Sequence, residues 1–352
     1  MLFVIGFDFF AGPAPVGFAP DFALDDQVPV IDISGLVSAG DARDAIASPA
    51  VDAIARASRE WGFFQVVNHG VADQLIEDAW CQTRRFFALP DDTKQSILRT
   101  RENPWGYYNN ELTKNQRDKK EVFDFTMPGV DPIYGCENRW PHVDGEFKEI
   151  MLAYFEACAA LSLKLLEAFC VGLDLPPDYL HNDFVGTHTG FLRLNCYPVR
   201  DPLEKSSLVH KPIADRGVHH HTDAGALTVL LQDEVGGLQV HKDGQWYGVL
   251  PTKGAFVINT GDMMQVWSND YYRAAMHRVL AMQNRDRYSL PFFYNPAAST
   301  RVSPLPCTIS AARPAAYTTI QWGEFRGKRT DGDYADYGAE VQIAQYRTGD
   351  QA

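Results

Sequence analysis

The chain has 352 residues, of which 45% are hydrophobic, and a formal net charge of −13 at pH 7. That length can bury a large core, either in one domain with additions or in two closely fused parts. The acidic balance argues against nucleic-acid binding, since phosphate recognition depends on clustered Lys and Arg. The six cysteines include no Cys-x-x-Cys pair, so we expect reduced core thiols and a cytoplasmic protein.

The amino terminus is apolar over residues 1–10, but this stretch is too short to span a bilayer and contains Asp8. It also lacks the basic start of a secretory signal. Residues 11–20 include three prolines and two glycines. We therefore expect residues 1–26 to form a flexible lead-in and expect no membrane association.

The part that follows predicts a mixture of strands and helices. In chain order we predict a strand over 28–33, a helix over 45–61, a strand over 63–67, and helices over 71–87 and 147–171. Apolar residues at helical spacing support the helices over 71–87 and 147–171, which end near Pro90 and Gly172, respectively.

From residue 190 onwards the pattern changes to short strands separated by turns. We predict strands over 191–197, 226–232, 238–241, 245–250, around His277 and over 287–293. Asp243-Gly244 is expected to form a hairpin turn, because this dipeptide tolerates the positive φ that tight hairpins require. Short strands at this spacing favour a closed or double-layered β structure.

His221-Thr222-Asp223 and the distant His277 are candidate metal ligands. Residues two apart on a β-strand project from the same face, so His221 and Asp223 can both reach one ion. Two imidazoles and one carboxylate are the set that holds one face of a non-haem Fe(II) and leaves the other open. A His-x-Asp pair also occurs by chance, so these residues alone leave a purely structural role open.

An alternative grouping exists because the sequence is His219-His220-His221. His219 shares a face with His221 if the strand is regular, so it could replace His221 as a ligand. We choose His221, since it alone stands in the His-x-Asp register. His219 and His220 are then expected to face solvent or to support the ligands.

A candidate carboxylate receptor lies on two other strands. Arg287 and Ser289 share a face, and a guanidinium beside a hydroxyl can donate parallel charge-assisted hydrogen bonds. Arg193, Asn195 and Tyr197 form a second same-face series that would add further donors. Taken singly, Arg287 could equally form a surface salt bridge, and Tyr197 could be an ordinary core aromatic residue.

Together these blocks resemble the Fe(II)/2-oxoglutarate-dependent dioxygenase family, in its isopenicillin N synthase-like, plant-type branch. The blocks of the second half that carry the resemblance are Arg193-Leu194-Asn195-Cys196-Tyr197-Pro198, His221-Thr222-Asp223, Gly236-Gly237-Leu238-Gln239-Val240, Asn259-Thr260-Gly261-Asp262, Trp267-Ser268-Asn269, His277-Arg278-Val279 and Arg287-Tyr288-Ser289. In the first half, Gly62-Phe63-Phe64-Gln65-Val66-Val67-Asn68-His69-Gly70 is similar to the leading domain of that branch.

The resemblance implies an α+β fold with a mainly β core, a double-stranded β-helix or jelly-roll, preceded by a helical region. The implied organisation is a leading domain over 27–185, the jelly-roll core over 186–297 and a carboxy-terminal arm over 298–352. His221, Asp223 and His277 would bind Fe(II). Arg287 and Ser289 would bind the distal carboxylate of 2-oxoglutarate, assisted by Tyr197 and Asn195.

The implied activity is that of an oxygenase, with Fe(II) as cofactor and 2-oxoglutarate and O2 as co-substrates. It would couple decarboxylation of 2-oxoglutarate to succinate and CO2 with oxidation of a small molecule, in keeping with a role in secondary metabolism. A 2-oxoglutarate-independent Fe(II) oxidase of the isopenicillin N synthase type is the alternative, and a non-catalytic jelly-roll that binds a metal or ligand is a third. Hydroxylation, desaturation and ring closure all remain open.

The substrate pocket is less well specified. We take five aromatic residues as candidate pocket walls, although such residues more often fill a core. They are Tyr107, Tyr108, Phe123, Phe125 and Phe293. Phe293 continues the face of Arg287 and Ser289. We expect a small-molecule substrate, no nucleic-acid partner, and a monomer or weak homo-oligomer.

Overall fold

The structure, a computed structural model, describes residues 27–38, 48–113, 116–143, 145–204, 216–332 and 341–349. The predicted lead-in over 1–26 and the first residues of the helix predicted over 45–61 lie outside the described residues. So do parts of the carboxy-terminal arm.

The helices of the described residues agree closely with prediction in the first half of the chain. They are α1 (Ser34–Val37), α2 (Pro49–Glu60), α3 (Asp73–Phe87), α4 (Asp91–Gln95), α5 (Phe147–Val171), α6 (Asp262–Trp267) and α7 (Trp322–Asp331). Short 3-10 helices occur at His181–Asp183, Pro306–Thr308 and Ile343–Tyr346. No helix of the described residues is both long and apolar enough to cross a membrane.

The strands follow the predicted short, turn-separated pattern. Those of the first half are β1 (Val30–Asp32), β2 (Phe63–Val67), β3 (Gly106–Tyr108), β4 (Leu112–Thr113), β5 (Gln116–Arg117) and β6 (Glu121–Thr126). Those of the second half are β7 (Phe191–Tyr197), β8 (Arg216–His221), β9 (Leu227–Gln232), β10 (Leu238–Lys242), β11 (Gln245–Gly248), β12 (Phe256–Thr260), β13 (His277–Leu280), β14 (Arg287–Tyr294), β15 (Arg301–Val302) and β16 (Ile320–Gln321).

Two sheets build the jelly-roll. The major sheet has eight strands in the order β1-β2-β12-β9-β14-β7-β6-β3, and the minor sheet has four in the order β11-β10-β13-β8. Neighbouring strands are antiparallel except β1 and β2. The hairpin between β10 and β11 turns at Asp243 and Gly244, whose φ values of 48° and 84° are those expected of its Asp-Gly turn.

The leading part of the chain belongs to the same sheet as the jelly-roll core. We predicted a helical region that buttresses the barrel, and helices α3 and α5 do pack together against the sheet. However, β1, β2, β3 and β6 also extend both edges of the major sheet. The core therefore continues across the predicted boundary at residue 185.

Strand alternation divides the major sheet into two faces. On β14, Leu290 and Phe292 point outward into the large core that includes α5. Arg287, Ser289 and Phe293 point inward, toward the minor sheet. The inward faces enclose a second, smaller apolar core, so the polar side chains between the sheets are shielded from water on several sides.

The carboxy-terminal arm packs back onto the barrel instead of extending from it. In α7, Trp322 and Phe325 are fully buried. The indole Nε1 of Trp322 donates to the hydroxyl of Thr189 at 2.8 Å. These contacts hold α7 over one mouth of the barrel.

The expectation of reduced core cysteines is half correct. All six cysteines are free, and Cys158, Cys170 and Cys196 are buried. Cys81 and Cys307 are instead exposed. The local pattern of α3 did not distinguish its core face from its solvent face at Cys81.

His188 should make folding stability depend on pH. Burial lowers the pKa of His188 to about 4, so the folded state favours neutral imidazole. Its stabilising contribution is complete above the ordinary pKa of about 6.5 and is lost as pH falls toward 4, by at most about 3 kcal/mol. Urea unfolding at pH 7 and pH 4.5 should show a smaller loss for His188→Phe than for the wild type. His142→Gln, an exposed control, should leave the loss unchanged, and an equal loss in all three proteins would contradict the assignment.

Candidate metal and co-substrate site

Three side chains converge at one end of the minor sheet. His221, the last residue of β8, lies opposite His277, the first residue of β13. Oδ1 of Asp223 is 3.6 Å from Nε2 of each histidine. One ligand atom from each residue lies within 4.8 Å of the others, so the three can hold a single metal ion.

The position of Asp223 differs from the prediction in one respect. We placed His221 and Asp223 on one regular strand, but β8 ends at His221 and Asp223 lies in the following loop. The carbonyl oxygen of Asp223 accepts a hydrogen bond from the amide of Asp262 at 2.7 Å. Backbone anchoring, and not strand alternation, therefore positions the carboxylate.

Each imidazole is oriented by the backbone carbonyl of the residue two positions earlier in the chain. Nδ1 of His221 donates to the carbonyl of His219 at 2.7 Å, and Nδ1 of His277 donates to the carbonyl of Ala275 at 3.1 Å. With the proton on Nδ1, the lone pair of each Nε2 is available to a metal ion held between the three side chains. Such hydrogen bonds fix the tautomer and ring angle that a metal requires.

The carboxylate of Asp223 is oriented in the same manner. Its Oδ2 accepts hydrogen bonds from the hydroxyl of Thr228 at 2.6 Å and from Nδ2 of Asn259 at 2.8 Å. Oδ1 is the oxygen that faces the two histidines. One oxygen is thus held by the protein and the other is presented to an ion.

The protonation states suit metal binding. Burial and the neighbouring His277 lower the pKa of His221 to about 3. Burial alone would raise the pKa of the Asp223 carboxyl, but the facing His277 and His221 lower it overall. Neutral imidazole and ionised carboxylate are the forms that coordinate a cation at neutral pH.

A β-bulge excludes His219 from the cluster. His277 pairs with His221, yet Val279 pairs with Val218, so the register shifts between them. The extra residue turns His219 away, and its Nδ1 lies 3.2 Å from Oδ1 of Asp118. His220 is exposed. His219 supports His221 through its carbonyl oxygen, which agrees with the choice of His221.

Arg287 is a buried cation that forms no salt bridge within the described part of the chain, although the buried carboxylate of Asp233 acts on it through space. Its side chain is 1% exposed, and it has no ion pair among the residues that the structure describes. Its guanidinium donates to Ser289 Oγ and Gln232 Oε1 at 3.3 Å each, while its Nε has no hydrogen-bond partner among those residues. Because an isolated buried charge is costly, this arrangement fits a ligand carboxylate.

Tyr197 and Asn195 lie directly opposite these residues on β7. Arg287 pairs with Tyr197 and Ser289 with Asn195 in the β7–β14 register. The guanidinium carbon of Arg287 is 5.0 Å from the centroid of the Tyr197 ring. Nδ2 of Asn195 donates to Ser289 Oγ at 3.3 Å, and its buried Oδ1 has no partner within the described ranges. The four residues predicted for the carboxylate receptor, Arg287, Ser289, Tyr197 and Asn195, therefore lie next to one another in the structure.

Two adjoining cavities connect these groups. The sheet cavity, of about 540 Å³, lies between the two sheets and contains both the three-residue cluster and Arg287. The helix cavity, of about 730 Å³ and open to solvent, lies under α7. Both are lined by His221, Asp223, Lys120, Arg193 and Phe293.

Four of the five aromatic candidates lie elsewhere. Tyr107, Phe123 and Phe125 belong to the large outward core, and Tyr108 packs on the guanidinium of Arg99 at 4.8 Å. Phe293 alone of the five lines both cavities. The alternation of side chains along a strand shows that Phe123 and Phe125 share one face of β6. It does not reveal whether that face meets the helices or the cavity.

Sequence reasoning also missed two groups that line the helix cavity. One is a buried ion cluster, of which Glu111, Lys120 and Arg193 line the cavity. The cluster consists of Arg99, Glu111, Asp118, Lys120, Asp124 and Arg193. Arg193, predicted as a further donor at the carboxylate receptor, is instead paired with Glu111 and Asp124. The other is the inner face of α7, with Trp322, Arg326 and Arg329. For α7 a signal was available, because these residues recur at helical spacing.

The sequence matches known families over both halves. Residues 189–296 match the 2OG-Fe(II) oxygenase superfamily, and residues 28–143 match the family described as non-haem dioxygenase in morphine synthesis N-terminal. The chain belongs to the 2OG-Fe(II) oxygenase superfamily.

Curated relatives of this oxygenase cover most of its length. Jasmonate-induced oxygenase 2 of Arabidopsis thaliana is 32% identical over 303 residues, which is 85% of this chain and 78% of the relative. Gibberellin 20 oxidase 1-D of Triticum aestivum is 33% identical over 309 residues, which is 86% of this chain and 82% of the relative.

Solved structures share the fold of the oxygenase. JOX2 in complex with 2OG, Fe and JA has a TM-score of 0.76 and 29% identity, and the match covers 92% of this chain and 90% of that one. A full-length Neurospora crassa protein, solved in complex with alpha-KG and thymine, has a TM-score of 0.74 and 26% identity. That match covers 88% of this chain and 98% of the other.

The protein is therefore a non-haem Fe(II)- and 2-oxoglutarate-dependent oxygenase. It couples oxidative decarboxylation of 2-oxoglutarate to succinate and CO2 with oxidation of a small organic substrate. Relatives solved with 2-oxoglutarate support this activity and not the 2-oxoglutarate-independent alternative. The jelly-roll fold with a helical leading region is confirmed as well.

Proposed function

We propose that His221, Asp223 and His277 hold the Fe(II) and that Arg287 and Ser289 bind the distal carboxylate of 2-oxoglutarate. The buried guanidinium of Arg287, which has no ion pair among the described residues, is the observation that carries the second part. It opens into the same cavity as the three-residue cluster. A dicarboxylate placed there could reach the metal with one end and satisfy Arg287 with the other.

Tyr197 and Asn195 complete the proposed co-substrate site. The Tyr197 ring lies against Arg287 and limits where the guanidinium can move. Asn195 holds the Ser289 hydroxyl, which can rotate to donate to a carboxylate. Both residues would position the Arg287–Ser289 pair and add little charge of their own.

When bound, Fe(II) supplies the activation of O2 that drives oxidation of 2-oxoglutarate and of the substrate. The chain contributes orientation and exclusion of water. Phe63, Leu230, Leu238 and Val279 line the sheet cavity around the polar groups. A low-dielectric wall strengthens the ion pair at Arg287 and keeps bulk water from the reaction.

Oxidation of a small molecule in the helix cavity completes the proposal. That cavity reaches His221 and Asp223, and Phe293 forms part of its wall. Hydroxylation is the default outcome, with desaturation or ring closure as the other possibilities. We also propose a cytoplasmic monomer or weak homo-oligomer that acts in secondary metabolism; the free cysteines are consistent with that location.

Anaerobic reconstitution tests the proposed roles. The protein with Fe(II) alone and then with 2-oxoglutarate should develop a visible metal-to-ligand charge-transfer band. Adding O2 with substrate should then release succinate in equal amount to oxidised product. Absence of the band with wild-type protein at saturating 2-oxoglutarate would contradict the proposal, as would turnover that releases no succinate.

Asn259 should affect iron affinity without touching the metal. Its Nδ2 holds Oδ2 of Asp223, so Asn259→Ala frees the carboxylate to rotate. We expect iron affinity to fall about 10- to 100-fold, as is typical for outer partners of metal ligands. Chelator competition with Fe(II) measures the change. Asn284→Ala, outside this set of contacts, is the matched control, and equal affinities for both variants would refute the role.

A further inference from the structure

The helix cavity contains more cationic side chains than its own carboxylates require. Lys120, Arg193, Arg326 and Arg329 all line it. Each must be assigned a partner before any can be considered available for a ligand, because buried charges are normally paired.

Lys120 and Arg193 are committed to the buried ion cluster. Lys120 pairs with Glu111 and lies 3.1 Å from Asp118. Arg193 pairs with Glu111 at 2.9 Å and with Asp124 at 2.7 Å. With Arg99 included, the cluster has three cations and three carboxylates, so it is balanced without a ligand.

Arg329 is committed to the backbone. Its guanidinium donates to the carbonyl of Val341 at 3.0 Å and to the carbonyl of Thr222 at 3.2 Å. Thr222 lies between His221 and Asp223 in the sequence. Arg329 therefore ties α7 to the loop that contains the proposed iron ligands.

Arg326 differs from the other three. Its guanidinium carbon lies 4.8 Å from the centroid of the Phe191 ring, and it has no ion pair among the residues that the structure describes. Asp131 acts on it through space, but the Asp131 carboxylate accepts hydrogen bonds from the amides of Ile133 and Tyr134. Of the four cavity cations, Arg326 is thus the one whose guanidinium forms neither an ion pair nor a hydrogen bond with a described residue.

An apolar platform lies beneath Arg326. Phe191 stacks on Phe293 with ring centroids 4.5 Å apart and an angle of 19°. Leu112 and Val218 add further apolar side chains to the wall of the same cavity. The wall of the cavity therefore combines a cationic group and an apolar surface with the proposed iron ligands His221 and Asp223.

We propose that the primary substrate is a carboxylic acid with a flat or cyclic apolar body, and that Arg326 binds its carboxylate. The body would lie on Phe191 and Phe293, which places its carbon atoms near the proposed iron ligands. One guanidinium balances the charge of a carboxylate, to which its fork can donate two parallel hydrogen bonds, but leaves one charge of a phosphate dianion unmatched. This inference rests on the function proposed above and names the substrate class for the same site.

Matched acids and amides test the proposal. Anaerobic enzyme with Fe(II) and saturating 2-oxoglutarate is titrated with 4-phenylbutanoate, 4-cyclohexylbutanoate and the primary amide of each, with the charge-transfer band as the readout. The acids should perturb the band and should bind about 10- to 100-fold more tightly than the amides. Equal effects of acid and amide, or no effect of any probe, would overturn the inference.

Two variants of α7 locate the interaction. Arg326→Met should weaken binding of the acids to the level of the amides and leave the affinity for 2-oxoglutarate unchanged. Arg326→Lys should restore part of the preference for acid over amide. Lys328→Met, an exposed neighbour on the same helix, is the control for general loss of charge. Undiminished acid binding by Arg326→Met, with melting temperature unchanged, would refute the role of Arg326.

The two proposals fail in different ways. If 2-oxoglutarate produces no charge-transfer band with the wild type, the proposed co-substrate site is wrong. If the band forms but the probes show no preference for acids, the co-substrate site stands and the substrate class is wrong.

Discussion

Replacing Asp223 by alanine is expected to abolish iron-dependent turnover. The variant would keep two imidazoles but lose the single anionic ligand, and the donors of Thr228 and Asn259 would lose their acceptor. We expect iron affinity to fall by more than the roughly 100-fold that marks the upper end for loss of an outer partner. Chelator competition measures the affinity, and O2 consumption with 2-oxoglutarate measures turnover.

Alanine variants of His219 and His221 test which of the two histidines is the iron ligand. His221→Ala should behave like Asp223→Ala, whereas His219→Ala removes a side chain that faces Asp118 and should keep most of the iron affinity. If His221→Ala bound iron normally while His219→Ala did not, the assignment of ligands would be wrong.

Replacing Arg287 by methionine is expected to raise the KM for 2-oxoglutarate by roughly 30-fold to several-thousand-fold, the equivalent of about 2–5 kcal/mol for a buried charged partner. Iron affinity in the absence of 2-oxoglutarate should be unchanged. The melting temperature of the ligand-free protein should hold or rise, because the variant removes a buried charge that has no ion pair in the described structure.

Arg285→Met is the matched control for this prediction. Arg285 lies two residues away but is exposed and pairs with exposed Glu234, so its loss should not change the KM for 2-oxoglutarate. A purely structural role for Arg287 would instead show as a lower melting temperature with an unchanged KM. Steady-state kinetics and thermal unfolding, each with and without 2-oxoglutarate, separate these outcomes.

The strand faces of the proposed co-substrate site were predictable from local sequence. Residues 191–197 form a strand as predicted, and the predicted strand over 287–293 extends one residue further. Because side chains alternate along a strand, Arg287, Ser289 and Phe293 were predicted to share one face. That face lines the sheet cavity. This succeeded because alternation is a property of the strand itself and needs no knowledge of its neighbours.

The convergence of the three proposed iron ligands was predictable in its residues but not in its geometry. Regular alternation would have kept His219 and His221 together, and the bulge between β8 and β13 separates them. Bulges depend on pairing with a strand that lies much further along the chain, so local sequence does not reveal them. The loop position of Asp223 depends likewise on its contact with Asp262.

Local sequence was thus sufficient for the types of the proposed ligands and for the alternation of the predicted strands, since these follow from residue chemistry and short periodicities. The reaction class was implied by the resemblance to a known family. Tertiary structure decided which aromatic face meets the cavity, which cations are already paired and that α7 covers the site. Those outcomes depend on contacts between distant segments, such as Arg329 with Thr222 and Arg193 with Glu111. The availability of Arg326 for a substrate could be inferred only after its neighbours' partners were known.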